Sequence, residues 1–343
     1  MSSEFTENDE STSSNDYTKY GITDTPKATV TTAWGKTKTF AGLYPKEWAF
    51  VGISLVNILL AVGLTLYSFI HVIQENPQSP DFTFALLLLI NASFCLFYVI
   101  HGVLREREYE LYVLIIAILV VLVYCIVEYA FLNVNGRTTV KLVRMILACV
   151  MAPVNIYLAW AVAHDFGYLE FRIVGASEYL QHLYQQASIF SCLLKFDIQV
   201  TSSFVLLALK EGVDLDLMEK ITLGVGVPYT IAWAILGWVV LKREIRIGAL
   251  VFAVIGLAKP AYYIYKIVKL YIQVFDVNIH VTSTILYSLL TAGALAILVW
   301  IIVMLELKTV FNNFGKGLRE RAFDLLATEK TSLLTGRRSR RRY

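Results

Sequence analysis

The residues that could do chemistry in this sequence are charged side chains inside long apolar segments. Lys195, Asp197 and Gln199 lie near the middle of an apolar run over residues 187–209. About 20 such residues span the hydrocarbon core of a bilayer. A charge at that depth costs roughly 2.5 to 3.5 kcal/mol even on lenient insertion scales. These side chains must therefore face protein or water, and we expect them to mark a substrate or ion pathway.

Helical spacing places the two charges on different faces. Lys195 and Gln199 share one face, and Asp197 points away from it. Their partners should therefore come from other helices. Lys259, beside a proline in a later apolar run, lies at a similar depth and could pair with Asp197, whereas Glu128 is the candidate partner for Lys195. Because a buried ion pair can be purely structural, structural and functional roles both stay open.

The amino-acid composition indicates the class of protein to which these residues belong. The chain has 343 residues, of which 57% are hydrophobic and 17% charged, with a mean hydropathy of +0.60. This is too apolar for a soluble domain. The four cysteines all fall inside apolar runs, which argues against a disulfide framework or a zinc site. The sequence indicates an integral membrane protein with no predicted metal, cofactor or nucleic-acid site.

Eight apolar runs are long enough to span a bilayer, and each must be helical because an isolated strand in lipid leaves its backbone unpaired. They cover residues 48–73, 82–104, 111–132, 142–163, 187–209, 221–241, 247–265 and 281–305. The predicted fold is therefore an all-α transmembrane helix bundle of eight spans. Most of the 30 lysines and arginines lie in the tails and the even-numbered connections. The positive-inside rule then places both termini in the cytosol.

The spacing of the spans suggests an internal duplication. Shifting the first four spans by about 138 residues brings them close to the last four, which is the kind of regularity that marks a repeat. Residues 102–106 match residues 240–244 best, and each segment precedes a new apolar run. Two units of four helices would form a parallel repeat. The alternative is coincidence, because the bilayer constrains all helix lengths alike.

Three segments outside the two membrane halves complete the predicted organisation. Residues 1–45 form a polar tail with little to bury, expected to be disordered and cytosolic. Residues 164–186, between the halves at 46–163 and 187–306, carry apolar residues at helical spacing and predict an amphipathic cytosolic helix. Residues 307–343 form a basic cytosolic tail.

The C-terminal tail carries two candidate interaction motifs. Glu329, Leu333 and Leu334 have the Asp/Glu-x-x-x-Leu-Leu spacing, which resembles sorting signals read by clathrin adaptors. The resemblance implies an endosomal or lysosomal protein, with the plasma membrane as the alternative location. A basic cluster follows and would attract anionic lipids of the inner leaflet or act in trafficking. It comprises Arg337, Arg338, Arg340, Arg341 and Arg342.

These patterns favour one function and leave an alternative. The favoured function is translocation of a small charged solute or ion through a polar cavity around the fifth and seventh helices. The alternative is a receptor-like or scaffolding membrane protein that acts through its cytosolic tails. An intramembrane enzyme is not expected, because the five histidines do not form one cluster in the sequence.

Overall fold

The structure, a computed structural model, describes residues 29–32, 35–75, 80–127, 129, 139–208, 217–276 and 283–319. Within them the chain is helical apart from an antiparallel hairpin and a single 3₁₀ turn after it. The elements in chain order are β1 (Thr29–Thr32), β2 (Gly35–Lys38), α1 (Pro45–Glu75), α2 (Pro80–Arg105), α3 (Glu108–Val127), α4 (Thr139–His164), α5 (Tyr168–Val174), α6 (Glu178–Leu207), α7 (Leu217–Arg243), α8 (Arg246–Gly256), α9 (Ala258–Asp276) and α10 (Ser283–Asn312).

The long helices confirm an α-helical membrane protein. Seven segments are long and apolar enough to cross a bilayer, and α8 with the first part of α9 makes up one of them. The helix α3 has 20 residues and carries no charged side chain from Leu111 to Val127. An eighth span through α3 therefore stays a prediction. The helical form follows from lipid, which offers no partner to a free backbone N–H or C=O.

The seventh predicted span, residues 247–265, is interrupted in the structure. The helix α8 ends at Gly256 and α9 begins at Ala258, with Pro260 in its first turn. Proline has no N–H, and its ring clashes with the carbonyl four residues earlier, here that of Gly256. Pro153 and Pro228, by contrast, lie inside helices that continue past them. The break brings Lys259 close to a helix start in the membrane interior.

The helices form two groups, each packed around its own apolar core. The helices α1–α4 surround the first core, and α6–α10 surround the second. The groups meet where α2 and α3 contact α6. Within the second group α7 lies close to α6 and α8 at Gly237, where a Cβ atom would approach Phe252 to 2.6 Å and Leu194 to 3.0 Å. A larger residue at this position would force the three helices apart.

Two turns of the same construction join α2 to α3 and α7 to α8. Glu106 (φ 49°) and Glu244 (φ 51°) are the described non-glycine residues with positive φ. Each turn is closed by a six-to-one hydrogen bond typical of a helix C-terminus. Arg107 N donates to Gly102 O over 2.8 Å, and Ile245 N donates to Val240 O over 3.4 Å.

The two turn glutamates hold the segments before α1 and after α10. Lys38 Nζ lies 2.6 Å from Glu106 Oε1. Gly315 N donates to Glu244 Oε2 over 2.7 Å, and Arg319 N donates to the other oxygen over 3.0 Å. The described chain therefore enters and leaves the bundle at the end where these two turns lie.

Two predicted segments differ from the structure. The expected single helix over residues 164–186 is divided: α5 ends at Val174, Gly175 adopts a left-handed φ of 82°, and α6 starts at Glu178. Glycine accepts this conformation because it lacks a Cβ, so it ends the helix. The predicted disordered tail of residues 1–45 contains the hairpin and the start of α1, and residues 1–28 lie outside the described residues.

Candidate functional site

The pair expected between Asp197 and Lys259 is present in the structure. Lys259 Nζ donates to Asp197 Oδ2, and the two residues are 3% and 1% exposed. The ammonium group also lies 4.3 Å from the centre of the Trp233 ring, which stacks on Phe252. A cation gains from both a carboxylate and an aromatic face. The pair sits inside the second helix group, shielded from lipid.

Lys195 pairs with a carboxylate that the sequence reasoning missed. Lys195 Nζ donates to Glu110 Oε1, and the other oxygen, Oε2, lies 2.6 Å from His101 Nδ1. Glu110 is 1% exposed, whereas the Lys195 side chain is 24% exposed. Glu128, the predicted partner of Lys195, lies outside the described residues, so that contact stays a prediction.

The short turn between α2 and α3 is a sequence signal for the contact between His101 and Glu110. His101 lies one turn before the end of α2, and Glu110 lies in the first turn of α3. Because helices joined by so short a turn pack side by side, residues near the two ends must meet. Glu110 lies one residue before the predicted span over residues 111–132, so a search for charges inside the spans does not find it.

Lys195 also lines a cavity of about 430 Å³ at the interface between the two helix groups. The walls come from α2, the α2–α3 turn, α6 and α7, including the rings of Phe97, Tyr184 and Trp238. Asp197 and Lys259 are not among the lining residues. This cavity lies between the second, fifth and sixth predicted spans, whereas the sequence predicted one around the fifth and seventh. We call it the inner cavity.

Basic side chains dominate the polar lining of the inner cavity. They are His101, Arg105, Arg107, Lys195 and Lys242, and no Asp or Glu is among the described lining residues. Lys242 Nζ lies 3.8 Å from the centre of the Trp238 ring and feels the charges of Arg105 and Arg107. Arg107 Nη1 donates to Ser188 Oγ over 2.6 Å and stacks over Tyr184. These contacts hold several like charges around one space.

A smaller pocket of about 290 Å³ adjoins the inner cavity through Arg107, Tyr184 and Ser188. Its lining includes Glu108 and Glu170. Burial, followed by the charge of Glu108, raises the pKa of Glu170, while Arg107 opposes that shift. Arg107 therefore lies between an acidic pocket and the cationic cavity, and part of its charge is balanced from the acidic side.

A buried ion cluster fastens the hairpin to this end of the bundle. Lys38 Nζ contacts Glu106 at 2.6 Å and Glu47 at 2.7 Å, with all three side chains almost fully buried. Burial alone would lower the pKa of Lys38, but the hydrogen bonds and charges of the two carboxylates outweigh it and raise the pKa. The cluster ties β2 to α1 and to the α2–α3 turn.

Gln199 belongs to a separate polar network towards the other end of the interface. Gln199 Nε2 donates to Asn91 Oδ1 over 2.8 Å, and Asn91 Nδ2 donates to Ser203 Oγ over 3.3 Å. The structure thus separates the predicted pathway residues: Asp197 and Lys259 pair inside the second group, Lys195 lines the inner cavity, and Gln199 bonds to α2. No group of three or more possible metal ligands occurs in the described part of the chain.

The inner cavity has the properties of an anion-binding site. Lys195 is paired with Glu110, but the positive charges of Arg105, Arg107 and Lys242 repel one another, and an anion would relieve that repulsion. Arginine and lysine both bind carboxylate and phosphate groups by charge-assisted hydrogen bonds. Aromatic walls exclude water from such contacts and strengthen them.

The sorting motif of Glu329, Leu333 and Leu334 and the arginine cluster at 337–342 lie outside the described residues.

Comparison with known proteins identifies the family of the chain. A family model described as a domain of unknown function (DUF7789) matches residues 34–164 and residues 174–309. No curated protein matches the chain. No solved structure matches it either. Because the two matched segments together cover well over half of the sequence, the chain belongs to the DUF7789 family.

Proposed function

We propose that this integral membrane protein binds a small anion of the carboxylate or phosphate class in the inner cavity and moves it across the bilayer. The observation that carries the proposal is the lining of the inner cavity, with five basic side chains and no acid among the described residues. The proposal narrows the charged solute expected from the sequence to an anion. Transport by a cavity between two helix groups is the mechanism that the arrangement supports best.

The position of the inner cavity supports transport. Substrate sites of many transporters lie near mid-membrane, between two structural repeats that move relative to each other. The inner cavity has walls from both helix groups and reaches from Lys195, near the middle of the 30-residue helix α6, to Arg105 and Lys242 in the last turns of α2 and α7. Rocking one group against the other would open such a space to either side in turn.

We infer further that the two groups are parallel repeats and that the chain has eight spans. The matching turns at Glu106 and Glu244 support this inference, as do the two segments matched by the family model. The contact pattern supports it too: α1 packs on α2 and α4 in one group, and α6 packs on α7 and α10 in the other. The break between α8 and α9 would then be a feature of the second repeat that the first repeat lacks.

The orientation and the roles of the tails stay predictions. We expect both termini in the cytosol, because the basic residues are concentrated on that side. Binding of clathrin adaptors and anionic lipids by the C-terminal tail, and an endosomal, lysosomal or plasma-membrane location, rest on sequence motifs alone. The expectation that the chain is not an enzyme also stays a prediction.

Uptake of anions by the purified protein tests the proposal. In proteoliposomes we expect protein-dependent uptake of at least one labelled anion from a panel of inorganic phosphate and small mono- and dicarboxylates. Lys242→Gln and Arg105→Gln each remove a cation from the cavity lining, and each should reduce uptake about tenfold or more. A hydrogen bond to a charged group contributes about 1.5–3 kcal/mol, and 1.4 kcal/mol corresponds to a factor of ten.

The matched control is Lys46→Gln, which removes an exposed cation that pairs with exposed Asp165 and is not among the residues that line the cavity. Its uptake should equal that of the unaltered protein. The proposal would be wrong if no anion in the panel crosses, if labelled cations cross as fast as the anions, or if the two cavity variants transport normally while folding normally.

A further inference from the structure

A second and larger cavity lies towards the other end of the interface between the helix groups. Its volume is about 630 Å³, within the range of sites that hold a drug-sized molecule. The walls come from α2, α3, α6 and α10 and are mostly aliphatic and aromatic, as with Phe84, Phe196 and Leu295. No charged side chain is among the described residues that line it. We call it the outer cavity.

The outer cavity is reachable from the side of the bundle. Ile116 and Val120 of α3 and Tyr287 of α10 line it and are also exposed on the lateral surface. A helix surface of this kind faces lipid in a membrane protein. A molecule dissolved in the bilayer could therefore enter between α3 and α10 without crossing water, whereas an ion could not enter this way cheaply.

Gln199, a polar residue in the wall of the outer cavity, has a buried acceptor with no hydrogen-bond partner. Gln199 is 3% exposed, and its Oε1 atom makes no hydrogen bond in the structure. The donors around it are already used: Gln199 Nε2 bonds to Asn91, and Asn91 Nδ2 bonds to Leu87 O and Ser203 Oγ. The Ser203 hydroxyl donates to Gln199 O. A buried acceptor without a hydrogen bond destabilises the folded protein, and a ligand that donates to it would remove that cost.

We propose that the outer cavity binds an uncharged apolar alcohol from the membrane, such as a sterol or a long-chain alcohol, whose hydroxyl donates to Gln199 Oε1. The apolar walls match the body of such a molecule, and the unpaired Gln199 acceptor matches its single donor. Gln199 lies about 12 Å along α6 from the last residue of that helix, at 1.5 Å per residue. The hydroxyl would thus be held below the membrane surface, where no water competes for it.

Photolabelling in membranes tests this binding directly. Full-length protein in vesicles is exposed to a photoreactive, clickable sterol, to an equivalent long-chain alcohol and to the methyl ether of each. We expect at least one alcohol to label peptides of α6 or α10 saturably. Its methyl ether, which lacks the donor, should bind about 5- to 30-fold more weakly, because one hydrogen bond of about 1–2 kcal/mol is lost.

Two variants and one control separate the site from general lipid contact. Gln199→Leu removes the acceptor, and Ala292→Phe fills the cavity from α10. Both should lose saturable labelling, while Gln185→Leu, on the same helix but outside the outer cavity, should not. The comparison of each alcohol with its methyl ether uses unaltered protein. It therefore tests the role of the hydroxyl group even if a variant misfolds. Equal labelling by alcohol and ether, or labelling that never saturates, would overturn the proposal, whatever the outcome for anion transport.

Discussion

Replacing Asp197 by Asn or Lys259 by Met should each destabilise the folded protein by about 3–5 kcal/mol, because the remaining charge stays buried without its partner. The two residues are 1% and 3% exposed, so water cannot reach either charge. The double variant should recover much of the loss, since it buries no charge. Reversible unfolding in mixed micelles, followed by tryptophan fluorescence, measures all four proteins.

The control for this double-mutant cycle of Asp197 and Lys259 is Lys46→Met. Lys46 pairs with Asp165, and both side chains are more than half exposed. Exposed pairs contribute little to stability, so this variant should unfold with the unaltered protein. If the double variant lost as much as the two single variants added together, Asp197 and Lys259 would not be coupled in the folded state.

Lys195→Met should also destabilise the protein, and by more than Glu110→Gln does. Glu110 is 1% exposed, so without Lys195 its charge is left in the interior with only His101 beside it. Lys195 lines a cavity and is partly exposed, so without Glu110 its charge can still be hydrated. We expect about 3–5 kcal/mol for Lys195→Met and a smaller loss for Glu110→Gln.

The same unfolding assay measures this asymmetry. The double variant with Lys195→Met and Glu110→Gln should be more stable than Lys195→Met alone. Equal losses of stability for the two single variants would mean that Lys195 is as well shielded from water as Glu110. That result would contradict an open cavity at Lys195. Any loss of transport in Lys195→Met would therefore combine lost stability with lost anion binding.

Hydropathy and helical geometry were sufficient to predict the coarse architecture. Long apolar runs must be helical in lipid, and the structure has helices at each of the eight runs. The pairing of Asp197 with Lys259 could be anticipated because depth along a helix and direction around it follow from residue number alone. Both inferences depend only on local regularities of the helix.

Three features of the structure depend on three-dimensional packing and were not predicted from the sequence: the contacts of Glu110, the position of the inner cavity and the division of the connector. Glu110 lies just outside an apolar run. The short turn from α2 to α3 places it beside His101, but only the packing of α6 against α2 and α3 brings it to Lys195. The position of the inner cavity depends on how the two groups meet, which no periodicity encodes. The division of the connector at Gly175 depends on a left-handed backbone conformation that glycine permits but does not require.

The most direct test of the central claim is the charge preference of the inner cavity. Ser191 lines the cavity and can be changed to cysteine after the four native cysteines are replaced by alanine. A negatively charged and a positively charged thiosulfonate reagent of similar size are then applied from the end of the bundle where the Glu106 and Glu244 turns lie. Ser177→Cys, which is exposed and outside the cavity, corrects for the intrinsic reactivity of each reagent.

We predict that the anionic reagent modifies Cys at position 191 at least tenfold faster than the cationic one after this correction. A factor of ten needs only 1.4 kcal/mol of electrostatic preference, well within what several nearby cations supply. Phosphate or carboxylate ions that are transported should slow the reaction. A thiol at position 191 that reacts faster with the cationic reagent, or with neither, would contradict an anion-binding cavity between the two helix groups.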